Sequence, residues 1–128
     1  MPPRAIIPAA FAEAAAALHL SPGVLSAGHL FLSGATGAVG TWMPDDPEAQ
    51  FRNAFDNIGM VLKAGGLDFG AVVEMTTFHL GLRDHFDLFD AVRQDYLSDP
   101  WPAWTAVEVA ALRRPGAVVE IRVVAAEA

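Results

Sequence analysis

The sequence contains no cysteine, one lysine (Lys63), and no apolar run near the ~20 residues a helix needs to cross a bilayer. Each absence closes a class of functions. Without thiols there is neither a disulfide framework nor a cysteine nucleophile. Such a chain suits a reducing cytoplasm, the expected location. Seven arginines and the lone lysine sit in a chain of net charge −7. Only Arg113-Arg114 forms a basic pair, so no basic face stands ready for a phosphate backbone. Neither nucleic acid nor a membrane is an expected partner. The N-terminus carries Arg4 and an alanine-rich stretch interrupted by Glu13, without the strongly apolar segment of a secretory signal.

Familiar catalytic spacings are missing too. His19, His29, His79 and His85 show no ligand spacing, and no metal or cofactor is expected. His79, at the end of a strand, is the histidine to examine. Ser33 lies in Leu32-Ser33-Gly34-Ala35, not in the Gly-x-Ser-x-Gly elbow of a triad hydrolase. Gly34, Gly37 and Gly40 follow a strand, but their spacing is not a dinucleotide fingerprint and no helix opens on them. That stretch reads as a mobile loop.

What is present describes one domain over 1–128, with 1–20 as an N-terminal extension holding a short helix at about 10–18. Ser21-Pro22-Gly23 breaks that helix. Residues 24–27 and 29–33 read as a hairpin turning at Ala27-Gly28. Asp45-Asp46-Pro47-Glu48 opens a helix, with Asp46 as cap and proline at the first helical position. Phe51, Ala54, Phe55, Ile58, Val61 and Leu62 recur at helical spacing. Gly65-Gly66 ends the helix, and Gly59 within it points to close packing. A strand over 72–80 follows, then a second helix capped by Asp84 and stopped by Ser98-Asp99-Pro100. Phe86, Phe89, Val92 or Arg93, and Tyr96-Leu97 form its buried stripe. Two strands over 102–112 and 117–124, joined by Arg113-Arg114-Pro115-Gly116, complete a β-β-α-β-α-β-β order.

The residues are 53% hydrophobic, more than a soluble core of this size requires. In the strands, both alternating faces carry apolar side chains. Two amphipathic helices cover one face of a five- or six-stranded sheet, and a half-apolar face left over marks an interface. A homo-oligomer follows.

Four polar positions and one aromatic then stand out. Glu120 lies mid-strand between Val119 and Ile121, where an unpaired carboxylate is costly to bury. It is either ion-paired or set in a cleft, where it can place a water or carry a proton. Arg122 shares its face and either pairs with Glu74 or clamps an anion. Trp104 either stacks on a flat ligand or fills an interface. Thr105 and Ser33 complete the set through the resemblance that follows.

Gly28-His29-Leu30-Phe31-Leu32-Ser33-Gly34, the helix end Lys63-Ala64-Gly65-Gly66-Leu67, Val72 to Phe78, and Pro102-Ala103-Trp104-Thr105 with the Val-Glu-Val-Ala and Val-Glu-Ile strands resemble the Rid family, the YjgF-type imine and enamine deaminases. The similarity spans about Leu20 to Ala126. It implies an α+β, chorismate-mutase-like sandwich: a mixed sheet of five or six strands with two helices on one face. It implies a homotrimer with metabolite clefts between subunits that hydrolyse imines or enamines without metal or cofactor. Glu120 would place the attacking water; Ser33, Thr105 and Trp104 would lie on the substrate side, and Arg122 would join them as an anion clamp. The chain departs from the pattern where Trp104 replaces the carboxylate-binding arginine. Losing such a bidentate contact removes on the order of 2–5 kcal/mol of binding. Leu20 stands where a tyrosine is common, and Glu74 and Arg122 invert a common Lys/Glu pair. A substrate not held by that arginine is implied; the alternative is a trimer that binds a small molecule without turning it over.

Overall fold

Asp46 starts the longest helix. Its carboxylate accepts the Ala49 N–H at 3.0 Å, and Pro47 opens α2 (Pro47–Ala64) with no amide to satisfy. Phe51, Ala54, Phe55, Ile58, Val61 and Leu62 are all buried along one stripe, as their spacing predicts. Gly59 lets the Phe69 ring come close: a β-carbon there would stand 3.2 Å from it. The structure, a computed structural model, describes residues 2–128.

Six strands form one open sheet: β1 (Arg4–Ile6), β2 (Gly23–Ser26), β3 (His29–Leu32), β4 (Val72–His79), β5 (Ala103–Glu108) and β6 (Val119–Ala126). Their order is β1-β2-β3-β6-β4-β5, with only the β4–β5 pair parallel. This is the mixed sheet expected for a chorismate-mutase-like α+β fold. The β2–β3 hairpin turns at Ala27-Gly28, both at positive φ (51° and 78°), which matches the twist of the strands it joins. The N-terminal segment is more than an appendage. Arg4–Ile6 extends the sheet beside β2, and a single 3-10 turn (Ala9–Phe11) leads into α1 (Ala12–Leu18).

The last two strands, consecutive in the chain, are not neighbours in the sheet: β4 lies between them, parallel to β5 and antiparallel to β6. A parallel partner requires a crossover, and α3 (Leu82–Tyr96) supplies it between β4 and β5. The chain 109–118 then leaves the sheet, so Arg113-Arg114 lies in a connection and not in a hairpin turn. Nor does Asp84 cap α3. The helix begins after Gly81, and the first amide, Leu82 N–H, donates to the Glu108 carboxylate at 2.9 Å. The capping acid comes from the end of β5; Asp84 stands in the first turn, where it still favours the helix dipole.

Helices α2 and α3 cover one sheet face with an aromatic layer. Phe55 stacks on Tyr96 at 4.9 Å, and Phe89 meets Phe51 edge-on at 5.2 Å. Leu30, Met75, Ile121 and Val119 come up from the sheet beneath. Gln50, fully buried on α2, joins this layer to the 109–118 connection. Its Nε2 donates to Pro44 O and Gly116 O, and its Oε1 accepts the Val118 N–H at 2.8 Å. Both its N–H donors and its carbonyl oxygen bond to backbone. The other sheet face stays open, with Phe31 and Val107 about 40% exposed on it.

Replacing Gln50 by alanine strands two backbone carbonyls and one N–H. An equilibrium urea titration is expected to show a loss of about 2–4 kcal/mol. An unchanged midpoint would mean that the clamp is dispensable.

Candidate functional site

Alternation along β6 sorts the candidate residues by face. Val119, Ile121 and Val123 point to the helices; Glu120 and Arg122 point to the open side. Glu120 sits opposite Phe78, and Arg122 opposite Thr76. Thr76 also pairs with Thr105 on β5. Glu120, Arg122 and Thr105 therefore share one face across three neighbouring strands, with Thr76 and Phe78 between them. Strand order was needed to see that last pair of residues.

Glu120 is half-buried, and among the described residues no Lys, Arg or His lies within 4.0 Å of its carboxylate. The ion-pair account of this acid thus finds no partner. Its side chain lies against Gly34: a β-carbon there would stand 2.5 Å from Glu120 Oε2. Any larger residue at 34 would displace the carboxylate. Arg122 does reach Glu74, at 4.0 Å, with both side chains about half exposed. Such a pair is weak, but it matches the structural account of Arg122 better than the anion clamp.

Ser33 lies apart from this group. Its hydroxyl donates to Ser21 O at 2.7 Å and its N–H to Pro22 O, so it ties the end of β3 to the chain before β2. It brings Gly34 beside Glu120 and does not itself meet Thr105 or Arg122 in the register.

Trp104 falls on the opposite face. It pairs with buried Met75, stacks on Phe86 at 5.6 Å with rings almost parallel, and carries the Arg93 guanidinium 4.4 Å from its ring centroid. It packs under α3, away from Glu120. Trp104 and Thr105 are neighbours on a strand, and alternation sends them to opposite sides.

The glycine loop, read as mobile from its composition, is hydrogen-bonded to β6 and to α2. Ala35 exchanges both backbone hydrogen bonds with Ile121. Asn57 donates to Thr36 O and Ala38 O, and Asn53 to Gly37 O. Two asparagines on the polar side of α2 thus hold the loop that contacts Glu120. A pair of Asn residues four apart on an otherwise charged helix face was the available signal.

Beneath α3 runs a chain of polar groups. Trp104 Nε1–H donates to Thr77 Oγ1 at 3.0 Å; His79 Nε2 is 2.7 Å from the same oxygen; His79 Nδ1 is 3.1 Å from His85 Nε2. Burial, and then the neighbouring His85 ring, lowers the His79 pKa to about 4. Burial lowers that of His85 also, against the opposing pull of Asp84 and Glu108. One neutral ring must donate to the other; two protonated rings cannot share the contact. Among the described residues no three His, Asp or Glu side chains gather as a metal site would need.

The chain matches the family described as Endoribonuclease L-PSP over residues 11–127. It is 34% identical over 123 residues to the RutC family protein YjgH of Escherichia coli, covering 94% of this chain and 92% of that one. It is 35% identical over 127 residues to a 2-iminobutanoate/2-iminopropanoate deaminase of Bos taurus, covering 97% and 90%. The solved structure of YjgH superposes with a TM-score of 0.90 at 32% identity, over 99% of this chain and 98% of that one.

The buried histidine makes stability depend on pH. Unfolded histidine takes a proton near 6.5, folded His79 only near 4. Between those values the unfolded state binds more protons. Stability is full above about pH 7 and falls as the pH drops from 6.5 toward 4, by at most about 3 kcal/mol. Urea titrations at pH 7.5 and 4.5 measure the drop, and His79→Gln is expected to flatten it. An equal drop in that variant would assign it to other groups.

Proposed function

This chain belongs to the Endoribonuclease L-PSP (YjgF/RidA) family, and on that footing we propose that it is a metal-free imine and enamine hydrolase. Three copies assemble through the open sheet face, leaving small-metabolite clefts at their seams in a cytoplasmic protein. The observation that carries the reading is Glu120: a half-buried carboxylate, mid-strand on that open face, with no Lys, Arg or His within 4.0 Å among the described residues. Apolar side chains on the same face, Phe78 and Val107 across from it and Phe31 farther along, support burial of this face by a second copy.

The reaction consumes one water and needs no oxidant. Water adds to the C=N carbon as Glu120 accepts its proton. That proton passes to nitrogen, giving the carbinolamine; its hydroxyl proton then moves to the amino nitrogen through the same carboxylate as the C–N bond breaks, so that ammonia leaves and a carbonyl compound remains. An enamine first tautomerises to the imine. Thr105, on the same face, orients the substrate; Arg122 stays paired with Glu74, and Ser33 positions the Gly34 backbone against which the acid rests. Within one copy Trp104 packs on the other side of the sheet, against Phe86 and Arg93. The identity with 2-iminobutanoate/2-iminopropanoate deaminases supports a 2-imino acid as substrate. The net charge of −7 disfavours RNA.

A trimer that only sequesters a metabolite is the second reading. It is favoured by one observation: among the described residues of β4, β5 and β6 the one Lys or Arg is Arg122, which already faces Glu74 at 4.0 Å. A ligand that raises the melting temperature and is recovered unchanged would support it.

Ammonia release from 2-iminopropanoate generated in situ tests the chemistry. Glu120→Gln is expected to lower the rate by about 10²-fold or more; equal rates would remove Glu120 from the reaction. Sedimentation tests the assembly separately. Wild type is expected as a trimer at micromolar concentration and Phe31→Glu as a monomer. A monomeric wild type would exclude intersubunit clefts.

A further inference from the structure

We propose that Asn57 of α2 is a positioning residue for Glu120, a role that rests on the hydrolase reading of that acid and is exerted through the 34–38 loop. Among the described residues Asn57 makes no hydrogen bond to Glu120. Both of its amide hydrogens go to the loop instead, to Thr36 O and Ala38 O at 3.0 Å each. The loop carries the constraint from helix to acid.

At its near end the loop is a wall for the carboxylate. A β-carbon on Gly34 would come within 2.8 Å of three atoms of the Glu120 side chain. The next residue, Ala35, exchanges two backbone hydrogen bonds, of 2.8 and 2.9 Å, with Ile121, the neighbour of Glu120 in β6. That bridge is isolated: one residue pair, outside the named strands. So small a ladder opens locally at little cost unless the chain beyond it is held.

Beyond Ala35, side-chain amides do the holding. Asn53, one turn before Asn57, donates to Gly37 O at 3.1 Å, so three successive carbonyls are bound by two asparagines. Gly37 lies directly on α2, where a β-carbon would overlap Gln50 Cα and O. Apolar packing from α1 does not replace these bonds, because a cavity of about 310 Å³ lies between α1, α2 and the loop. Across that cavity Arg114 donates to Gly40 O at 2.8 Å, at the loop's far end. Removing the Asn57 amide frees Thr36 O and Ala38 O together, the two bonds nearest the bridge on either side of Gly37. Gly34 can then move away, and the Glu120 carboxylate gains orientations that do not place water. A misplacement of about 1 Å can cost on the order of 10²-fold in rate. With Asn53 and the Ala35 bridge still present, a smaller loss is expected here.

Ammonia release from 2-iminopropanoate by single and double variants of the full chain separates positioning from structural support. Asn57→Ala is expected to lower kcat about tenfold and to change KM less than about twofold. Because the effect runs through the acid, the same substitution made in Glu120→Gln is expected to change kcat less than about twofold. Hydrogen exchange reads the same coupling without substrate. The Ala35 and Ile121 amides are expected to exchange about tenfold faster in Asn57→Ala, with those in the middle of α3 unchanged. Asn53→Ala, which frees one carbonyl, is expected to give a smaller change of the same kind and carries the test if Asn57→Ala does not fold. An unchanged kcat, a loss confined to KM, a full tenfold loss in the Glu120→Gln background, or unchanged exchange at Ala35 and Ile121 would each overturn the proposal. Glu120→Gln at the wild-type rate would instead overturn the hydrolase reading, and the positioning role with it.

Discussion

The pairing register of β6 is the constraint on which the rest depends. This strand lies between β3 and β4, and its odd-numbered residues from Val119 to Ala125 are buried beneath the helices. A slip of one residue would drive Glu120 and Arg122 into an apolar layer and turn four buried apolar residues to the outside. Burial of those four therefore sets where Glu120 stands. The acid is held on the open face by the hydrophobic effect acting on its neighbours, not by a cation of its own.

The same economy governs the loop beside it. Gly34 sits against the Glu120 side chain because Ala35 continues the β6 ladder, and the loop beyond is held by Asn53 and Asn57 of α2. Gln50, one turn earlier on that helix, holds the chain entering β6 from the other end. One helix thus presents an apolar stripe to the sheet and a row of amides to two loops. Amides suit this task because each can donate to and accept from backbone without charge to desolvate. The fixed loop also walls the cavity under α1, so the two sides of the Gly34 segment share one frame.

The polar chain from Trp104 through Thr77 to His79 and His85 shows how the buried face tolerates hydrogen-bonding groups. Every buried side-chain polar atom among the described residues has a partner. Satisfaction removes the penalty only while both rings are neutral, which ties this layer to pH. Trp104 is drawn into that layer by its N–H as much as by its ring, since Thr77 gives the indole an acceptor.

Features that depend on near neighbours are legible in the chain alone: the Asp46 cap, the α2 stripe, the Ala27-Gly28 turn, the two-sided apolar strands and the isolation of Glu120 in an apolar run. Strand alternation alone is enough to separate Trp104 from Thr105, although membership of one motif argues for a shared site. Other features belong to the folded molecule and to nothing shorter. β4 comes between β5 and β6, Glu108 caps α3, asparagines fix the glycine loop, and Arg114 reaches the cavity under α1. Distance along the chain divides the two groups. Periodicity and capping act over a few residues, whereas strand order and those contacts join segments far apart in the chain, whose meeting is selected by burial of the whole sheet.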